Sequence, residues 1–502
     1  MFEWFQAFHA SLPTWLQEFS PVVLLLIVVG IVFYRLPTVE VGHDEGFKRR
    51  RLMNWLPLGL TYAFLYMGRY NLKISKFAFE EMKGLDGSPL MGNADFGLIF
   101  MWGTIVYGFS FIINGPLTDR LGGRFSILMG AGGAMVMNAM MGLASLSLLH
   151  QGPLHHVLGA HFVVIFSILY SLNMYFQSFG AVAIVKVNAP WFHVRERGVF
   201  GAIFGILISL GIYFAFDLGD MILNGMGLVW VFFMPAILLG LFWIIDFLVV
   251  RNRPSQAGQE DFNTGDATSG QEGPRLGALK VFKMMATNPV IMTIAFIEFC
   301  SGFLRQSIMQ WFRTFAKQTD VVLGLKSSFV YNNWGLLLCI AGITGGVIAG
   351  AISDHVFQSR RGPVAGLLYG VMLICSIVLV FTYQTPFVGW LVILMSMAVI
   401  GVHGMLSGTA SMDFGGARNA GIAVGIIDGF VYLGTAVMSG TYALILPHEE
   451  LDAAGHIAGA ATDPANWRAW PLAMIPMAVI GLVLASRLWN AKPKPKVRPE
   501  TS

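Results

Sequence analysis

The sequence predicts an all-α membrane protein with many spanning helices, and two observations support this class. Only 12% of the 502 residues are charged, 55% are apolar, and the mean hydropathy is +0.66. A soluble chain has about a quarter of its residues charged, so most of this protein's exterior must face something other than water. The apolar residues also fall into blocks of about 20, the helical length that crosses ~30 Å of hydrocarbon.

Short polar stretches separate these apolar blocks, and the blocks predict thirteen membrane spans. The polar segment 251–287 separates the seventh span from the eighth and is interpreted as a solvated linker. We therefore predict five regions: an extra N-terminal helix with its loop (1–51), a six-helix half (52–250), the linker (251–287), a second six-helix half (288–490) and a tail (491–502). The predicted spans lie near residues 20–34, 53–75, 95–116, 125–148, 157–186, 199–217, 227–250, 288–312, 327–352, 363–382, 387–410, 420–445 and 469–486.

The positive charges predict the orientation of the chain. Of the 32 Lys and Arg residues, 22 lie in loops on the side of the linker, six lie in loops on the other side and four fall inside predicted spans. Because cytoplasmic loops are enriched in Lys and Arg, the linker and the C-terminus are predicted to be cytoplasmic and the N-terminus external. We expect a multi-pass protein of the inner (plasma) membrane.

Composition and spacing also exclude several classes of function. Cys300, Cys339 and Cys375 lie in apolar runs without metal-ligand spacing, so we expect no disulfide, no metal site and no cofactor. No nucleophile, base and orienting group occur together, which argues against an enzyme. The net charge of +4 mainly reflects orientation and does not indicate a nucleic-acid partner.

The four intramembrane cations are the first candidates for function. A charge at membrane depth costs at least about 2.5–3.5 kcal/mol, so such residues usually face a bundle interior or a water-filled cavity. They are Arg69, Lys73, Lys186 and Arg305.

An internal repeat relates two of these cations. Gly precedes Asp119 by four residues, as it precedes Asp354, and the two aspartates are 235 residues apart. Arg69 and Arg305 are 236 residues apart, so they are predicted to occupy equivalent places in the first helix of each half. The repeated acidic residues are candidates for a conformational latch at the cytoplasmic helix ends. The predicted latch residues are Asp119, Arg120, Arg124 and Asp354.

Helical spacing predicts polar faces around both arginines. Tyr62, Tyr66, Arg69 and Lys73 share one face of their span. Glu298 and Ser301 share a face with Arg305 in the same way. If these faces meet, two guanidiniums converge on one point, and their fixed forks of donors suit a carboxylate or a phosphate. We therefore predict an anionic substrate.

The alternative is that buried acids neutralise the arginines. Glu298 or Asp428 could pair with one of them. Asp428 could instead pair with Lys73 or Lys186, bind substrate hydroxyls or carry a proton.

Several motifs carry a resemblance to a known family. The loop from Gly115 to Arg124, G-x-x-x-D-R-x-G-x-R, resembles the inner-loop signature of the major facilitator superfamily. Over about residues 52–488 the chain resembles the organophosphate:phosphate antiporter family, which includes glycerol-3-phosphate and hexose-phosphate transporters. The further motifs that carry this resemblance are Tyr62 to Asn71, Tyr107 to Ser110, Glu196 to Gly198, Arg305 with Trp311, and Tyr432 to Gly434.

The resemblance implies a major facilitator fold of two six-helix halves. It also implies exchange of an external organic phosphate for internal inorganic phosphate, with Arg69 and Arg305 as phosphate ligands. Four tyrosines are then expected to line the cavity, together with the neighbouring Lys73. These tyrosines are Tyr62, Tyr66, Tyr107 and Tyr432.

The chain departs from the glycerol-3-phosphate transporters at three positions. Tyr70 and Phe111 stand where those transporters have lysines, and Ile208 stands where they have a histidine. The departures affect the residues that would select the organic part of the substrate.

Two other functions fit the same sequence. Members of the family also act as membrane sensors of sugar phosphates, and a proton-coupled carrier of another organic anion could use Glu298 or Asp428. The expected partners are the organic and inorganic phosphates and the lipid bilayer, and we expect a monomer.

Overall fold

A computed structural model describes residue 30 and residues 42–85, 87–193, 196–264, 278–357 and 360–490. Apart from Gly30, the predicted first span near 20–34 lies outside the described residues. So do the central part of the predicted linker, 265–277, and the predicted tail, 491–502.

The described chain folds into twelve long helices, α1 to α12, which match the twelve predicted spans between residues 53 and 486. They are α1 (Glu45–Phe79), α2 (Asn93–Leu121), α3 (Gly123–Leu149), α4 (Phe162–Asn188), α5 (Arg197–Tyr213), α6 (Leu228–Val249), α7 (Pro289–Gln318), α8 (Trp334–Ala351), α9 (Arg361–Thr382), α10 (Val388–His403), α11 (Ser411–Ile445) and α12 (Met474–Arg487).

Three of these helices continue into π-helical turns. α5 runs through Phe214–Leu218 into the further helix Gly219–Met226, α8 runs into Ile352–Val356, and α10 runs into Gly404–Ala410. The remaining helical pieces are short, and one antiparallel pair of two-residue strands lies between α11 and α12. The short helices are His155–Ala160, Ala278–Ala286, Asp320–Leu323, Phe329–Asn332 and Ala469–Leu472, and the strands are Glu450–Leu451 and Ile457–Ala458.

Eleven helices in the described part of the chain are long and apolar enough to cross a membrane. α1 is not among them, although it has 35 residues and lies in the bundle. Arg69, Lys73 and Lys76 lower its hydropathy, yet all three are buried. The least hydrophobic of the twelve helices therefore lies inside the protein, where it carries polar groups that lipid would exclude.

Local sequence signals fix several helix ends. Asp44 caps α1 by accepting the Phe47 N–H at 2.6 Å, and Asn288 caps α7, where Pro289 occupies the first helical position. Gly122 and Gly227 separate α2 from α3 and α5 from α6. Their φ angles of +93° and +90° lie in a region that only glycine adopts readily, so short connections reverse the chain there.

Central and peripheral helices differ sharply in burial. In their most apolar stretches, 83% of α11 and 78% of α7 are buried, against 33% of both α6 and the segment that contains α12. The two predicted halves meet where α2 packs on α11 and α5 packs on α8. The first helix of each half thus lies in the protein interior. We call the end of the bundle where α1 and α7 finish the outer end, since the charge distribution predicts that it faces outside.

Two glycines allow α7 and α11 to pack backbone to backbone. A Cβ added at Gly302 would lie 1.9 Å from the carbonyl oxygen of Val431, and one added at Gly434 would lie 1.9 Å from that of Phe299. No side chain fits at such distances, so this helix pair depends on small residues in the way typical of membrane bundles. The contact brings Arg305 and Tyr432, which lie next to these positions in sequence, to the same level.

We expect Gly434→Ala to destabilise the protein because α7 and α11 must separate to admit the methyl group. Overpacking of this kind costs about 1–3 kcal/mol. The measurement is the apparent melting temperature of purified protein in detergent. Gly370→Ala is the matched control, because a Cβ at Gly370 would meet nothing within 4 Å. Equal melting temperatures for the two variants would contradict the proposed packing constraint.

Candidate functional site

Arg69 lies in the centre of the bundle and has only neutral partners among the described residues. Its Nε donates to Gln177 Oε1 at 3.0 Å, and its Nη1 donates to the hydroxyl of Tyr432 at 3.0 Å. The guanidinium carbon lies 4.5 Å from the centre of the Tyr66 ring and 4.7 Å from that of Tyr107. Nη2 is buried without a hydrogen-bond partner in the described chain. The aromatic faces stabilise the cation without neutralising it.

Arg305 reaches the same region from α7. Its guanidinium carbon lies 6.0 Å from the centre of the Tyr432 ring, and that of Arg69 lies 5.9 Å from the same centre. Both Nε and Nη2 of Arg305 are buried and have no hydrogen-bond partner among the described residues. Tyr432 on α11 is therefore the common neighbour of the two arginines.

No carboxylate in the described chain lies within 4.0 Å of the nitrogens of either guanidinium. The two acids that the sequence offered as neutralising partners have other contacts. Glu298 Oε2 lies 2.9 Å from His403 Nδ1, and Asp428 accepts the hydroxyl hydrogen of Ser407. Two buried charges of the same sign thus remain uncompensated by protein acids in this part of the structure, which is costly unless a ligand of opposite charge binds.

The predicted tyrosines surround this pair. Tyr107 is fully buried, with its ring 4.2 Å from that of Tyr432, and its hydroxyl has no hydrogen-bond partner in the described chain. Tyr62 and Tyr66 pack edge to face at 5.3 Å along α1. Tyr62, Tyr66 and Tyr432 each remain 6–7% exposed. All four tyrosines therefore belong to the buried core around the arginine pair.

Lys73 lies one turn of α1 farther out and has a separate environment. Its ammonium group donates to the hydroxyl of Thr314 on α7 and lies 4.8 Å from the ring of Phe96 and 5.5 Å from that of Trp311. The structure therefore places Lys73 in the contact between α1, α2 and α7, outward from the arginine pair. It does not pair with Asp428, which was one of the sequence-based alternatives.

The predicted latch residues lie at the end opposite the outer end. Asp119 pairs with Lys186 of α4 at 2.5 Å, which also excludes the alternative pairing of Lys186 with Asp428. Arg124 donates to the carbonyl oxygen of Phe247 at 2.5 Å, and Arg120 is exposed. Asp354 belongs to the π-helical turn Ile352–Val356, and its side chain lies outside the description.

Sequence reasoning missed the neutral polar residues that hold the arginines. Gln177 accepts from Arg69, and its own amide donates to Asn173 at 3.3 Å. Gln306, next to Arg305, donates to the hydroxyl of Tyr70 at 2.9 Å. Tyr70 is the residue that stands where the resemblance implies a lysine. The sequence signal that could have identified these residues is an amide side chain within an otherwise apolar predicted span. Asn173 and Gln177 stand one turn apart on α4, on one helical face.

At the outer end, ion pairs and hydrogen bonds join the two halves. Lys76 of α1 pairs with Glu80 at 2.5 Å and with Glu449, after α11, at 3.0 Å, and all three side chains are buried. Lys317 of α7 reaches Glu80 at 2.8 Å. Every described hydrogen bond or ion pair between the halves lies at the level of the arginines or farther out. The outer group also includes Arg313 with Asp220, Lys317 with Glu81, Gln318 with Asn93, Asn93 with Glu449, Ser439 with Gly97, and Asp217 with the N–H groups of Gly335 and Leu336.

Toward the other end, the described contacts between halves are backbone packing. A Cβ at Gly108 would lie 2.9 Å from the carbonyl oxygen of Gly429, and one at Gly425 would lie 2.8 Å from that of Phe111. The described ion pairs between the halves thus lie on the outer side of the arginine pair, whereas the contacts described on the other side are glycine packing.

The fold and this site define the class of protein. The family model of the Major Facilitator Superfamily matches residues 58–439, so the chain belongs to that superfamily. This confirms the predicted fold class and identifies a multi-pass membrane transporter and not an enzyme. A crystal structure of a bacterial homologue of the human lysosomal transporter Spinster, inward-facing and unoccupied, agrees in fold with a TM-score of 0.59. It is 14% identical and covers 89% of this chain and 97% of its own.

Curated relatives give a more particular likeness. The chain is 25% identical over 459 residues to the glycerol-3-phosphate transporter of Bacillus subtilis, covering 89% of this chain and 94% of that one. It is 21% identical to the probable hexose phosphate transport protein of Chlamydia trachomatis, covering 90% and 94%. It is 23% identical to the membrane sensor protein UhpC of Escherichia coli, covering 81% and 88%. The predicted resemblance to organophosphate transporters is therefore confirmed at low identity.

We expect Glu449→Gln to weaken the outer closure, because the amide cannot pair with Lys76. Removing one partner of a buried ion pair costs about 3–5 kcal/mol. The outer-closed state should then lose population, and a cysteine at Ser439, which is buried between α2 and α11, should react at least about tenfold faster with a membrane-impermeant thiol reagent. The native cysteines are replaced by alanine in this experiment, and the reagent is added to intact cells.

Glu450→Gln is the matched control, since Glu450 is exposed and adjacent in sequence. An unchanged labelling rate in Glu449→Gln would contradict the role of the ion pair. Labelling only in inverted vesicles would reverse the predicted orientation of the outer end.

Proposed function

We propose that the protein transports an organic phosphate across the membrane in exchange for inorganic phosphate, by alternating access. In this proposal Arg69 and Arg305 bind the phosphoryl group together. Tyr62, Tyr66 and Tyr107 line the surrounding space. Tyr432 holds the two guanidiniums in place.

The observation that best supports this proposal is that both guanidiniums have N–H donors without a hydrogen-bond partner among the described residues. Nη2 of Arg69 and both Nε and Nη2 of Arg305 are buried without a partner in the described chain. Guanidinium presents its donors in a planar fork that matches phosphate oxygens, and it stays charged at any accessible pH. Two such forks near one tyrosine suit a dianion better than a monoanion or a neutral solute.

The curated relatives support the organic phosphate as substrate. Two of them are described as a glycerol-3-phosphate transporter and a probable hexose phosphate transport protein. The likeness extends over about nine-tenths of the chain, so it includes both arginines and the helices that carry them.

Charge also gives a physical reason for exchange. An empty pair of buried guanidiniums is expensive to enclose, because neither is neutralised by a protein carboxylate in the described structure. A bound phosphate compensates this charge and allows the halves to close around it. Return of the empty site is then slow, so an outward phosphate must accompany each inward substrate.

We expect Arg69→Lys and Arg305→Lys each to reduce exchange by at least about 100-fold while the protein still folds. An ammonium group keeps the charge but loses the bidentate fork that orients phosphate. The measurement is uptake of labelled organic phosphates into proteoliposomes loaded with inorganic phosphate, screened against carboxylates of similar size.

Arg468→Lys is the control, because Arg468 is exposed in the loop before α12. Full exchange in Arg305→Lys would contradict the bidentate role. Uptake of carboxylates instead of phosphates, with alkalinisation of the medium, would favour a proton-coupled carrier of another anion.

The likeness to the membrane sensor protein UhpC favours one alternative, a receptor for a phosphate ester. A receptor and a transporter would share the same arginine pair. Saturable binding of a phosphate ester to purified protein, lost in Arg69→Lys, without any exchange in proteoliposomes would favour the receptor.

A further inference from the structure

Three arginines converge on the carboxyl end of α6, at the end of the bundle opposite the outer end. Each donates to a carbonyl group in the last turn of α6 or directly after it. The contacts are Arg124 Nη2 with Phe247 at 2.5 Å, Arg50 Nη2 with Val249 at 2.7 Å and Arg251 Nη1 with Val250 at 2.9 Å. These arginines come from α3, α1 and the segment after α6, and we call them the α6 cluster.

The described protein does not neutralise the α6 cluster. No carboxylate in the described chain lies within 4.0 Å of the nitrogens of these arginines, and three acids toward this end of the bundle have other partners. The pairs are Glu196 with Arg51, Asp119 with Lys186 and Asp246 with Thr61. The carboxyl end of a helix carries about half a negative charge, which offsets only a fraction of three cations. Arg251 also lies within electrostatic range of both Arg50 and Arg124, so the like charges repel one another.

The α6 cluster retains hydrogen-bond donors. A guanidinium has five N–H donors in a planar fork, and the contacts with the α6 carbonyl groups use one nitrogen of each arginine. Arg50, Arg124 and Arg251 are all partly exposed, so an external ligand can reach them. Guanidiniums with free donors and excess positive charge suit the oxygens of a phosphate group.

An apolar surface adjoins the α6 cluster. Four large apolar side chains follow one face of α6 at spacings of four, three and four residues, and each is more than half exposed. They are Ile237, Leu241, Ile244 and Leu248. The Arg124 guanidinium lies 5.3 Å from the centre of the Phe247 ring, which is 48% exposed. The cluster therefore lies where a hydrocarbon-facing helix surface meets the polar end of the bundle.

We propose that the α6 cluster binds the headgroup of an anionic phospholipid, whose acyl chains lie along the exposed apolar face of α6. Basic pockets between helices at a membrane surface are suited to such headgroups. A soluble phosphate would contact the same guanidiniums but would leave the apolar face unused. Arg50 precedes Arg69 by 19 residues, a rise of about 28 Å along α1, so this site is separate from the central arginine pair.

The test measures lipid binding and does not depend on transport. Purified full-length protein in a neutral detergent is titrated with phosphatidylglycerol or with phosphatidylcholine of the same acyl chains, and native mass spectrometry counts the bound lipids. We expect the unmodified protein to bind phosphatidylglycerol at least about tenfold more tightly than phosphatidylcholine, because only the former carries net negative charge. Equal affinities for the two lipids would overturn the proposal.

The variant that tests the α6 cluster is Arg50→Gln with Arg124→Gln and Arg251→Gln. Glutamine keeps an N–H donor for each carbonyl group of α6 but removes the charge, so a purely structural role of the arginines would leave the lipid preference intact. Each arginine beside an anionic headgroup strengthens binding about fivefold, so the triple variant should bind phosphatidylglycerol about 100-fold more weakly and phosphatidylcholine unchanged. A preserved preference would overturn the proposal.

Arg487→Gln is the matched control. Arg487 is exposed in the last turn of α12, a peripheral helix that ends on the same side of the bundle, and it belongs to no such cluster in the described chain. This variant should keep the preference of the unmodified protein. A loss as large as that of the triple variant would contradict a site built by the α6 cluster.

Two further measurements complete the test. Size-exclusion profiles check folding, and Arg251→Gln alone decides the question if the triple variant does not fold, because its side chain bonds only the adjacent Val250 carbonyl. The expected loss is then about fivefold. The deacylated headgroup, glycerophosphoglycerol, is added as a competitor. Displacement of phosphatidylglycerol by an equal concentration of this soluble phosphodiester would overturn the lipid as ligand in favour of a soluble phosphate.

Discussion

Two guanidiniums are buried at the centre of the bundle, with no carboxylate beside either of them in the described chain. Arg69 and Arg305 approach the same ring, that of Tyr432, at 5.9 and 6.0 Å. Burying like charges together is unfavourable, so the surroundings must stabilise them without cancelling them. Amides and aromatic faces do this, and the pair keeps its net positive charge.

The helices around the pair are specialised for that task. Gln177 and Asn173 form a ladder on α4 that fixes Arg69, and the Asn173 amide also donates to the Gly68 carbonyl at 2.9 Å. On the other side, Gly302 and Gly434 let α7 and α11 approach closely. Polar side chains fix the first arginine, whereas backbone proximity fixes the second. Both arrangements restrict the positions that the guanidiniums can take, as the proposed phosphate site requires.

The distribution of contacts between the halves is asymmetric, and this asymmetry links the site to transport. Buried ion pairs such as that of Lys76 with Glu449 close the outer end, whereas Gly108 and Gly429 provide backbone contact on the other side. The described structure is therefore an outer-closed state.

The membrane class, the approximate bounds of twelve helices and the pairing of Arg69 with Arg305 could all be predicted from the sequence. Apolar block length, intramembrane charge and the repeat offset are local or pairwise features of the chain. Spacing also placed Tyr62 and Tyr66 on the face of Arg69. The contact of Glu298 with His403, 105 residues away, and that of Lys73 with Thr314 instead of an acid become visible only in the folded chain. Such partners come from different helices, and their choice depends on helix rotation and crossing, which a helical period does not specify.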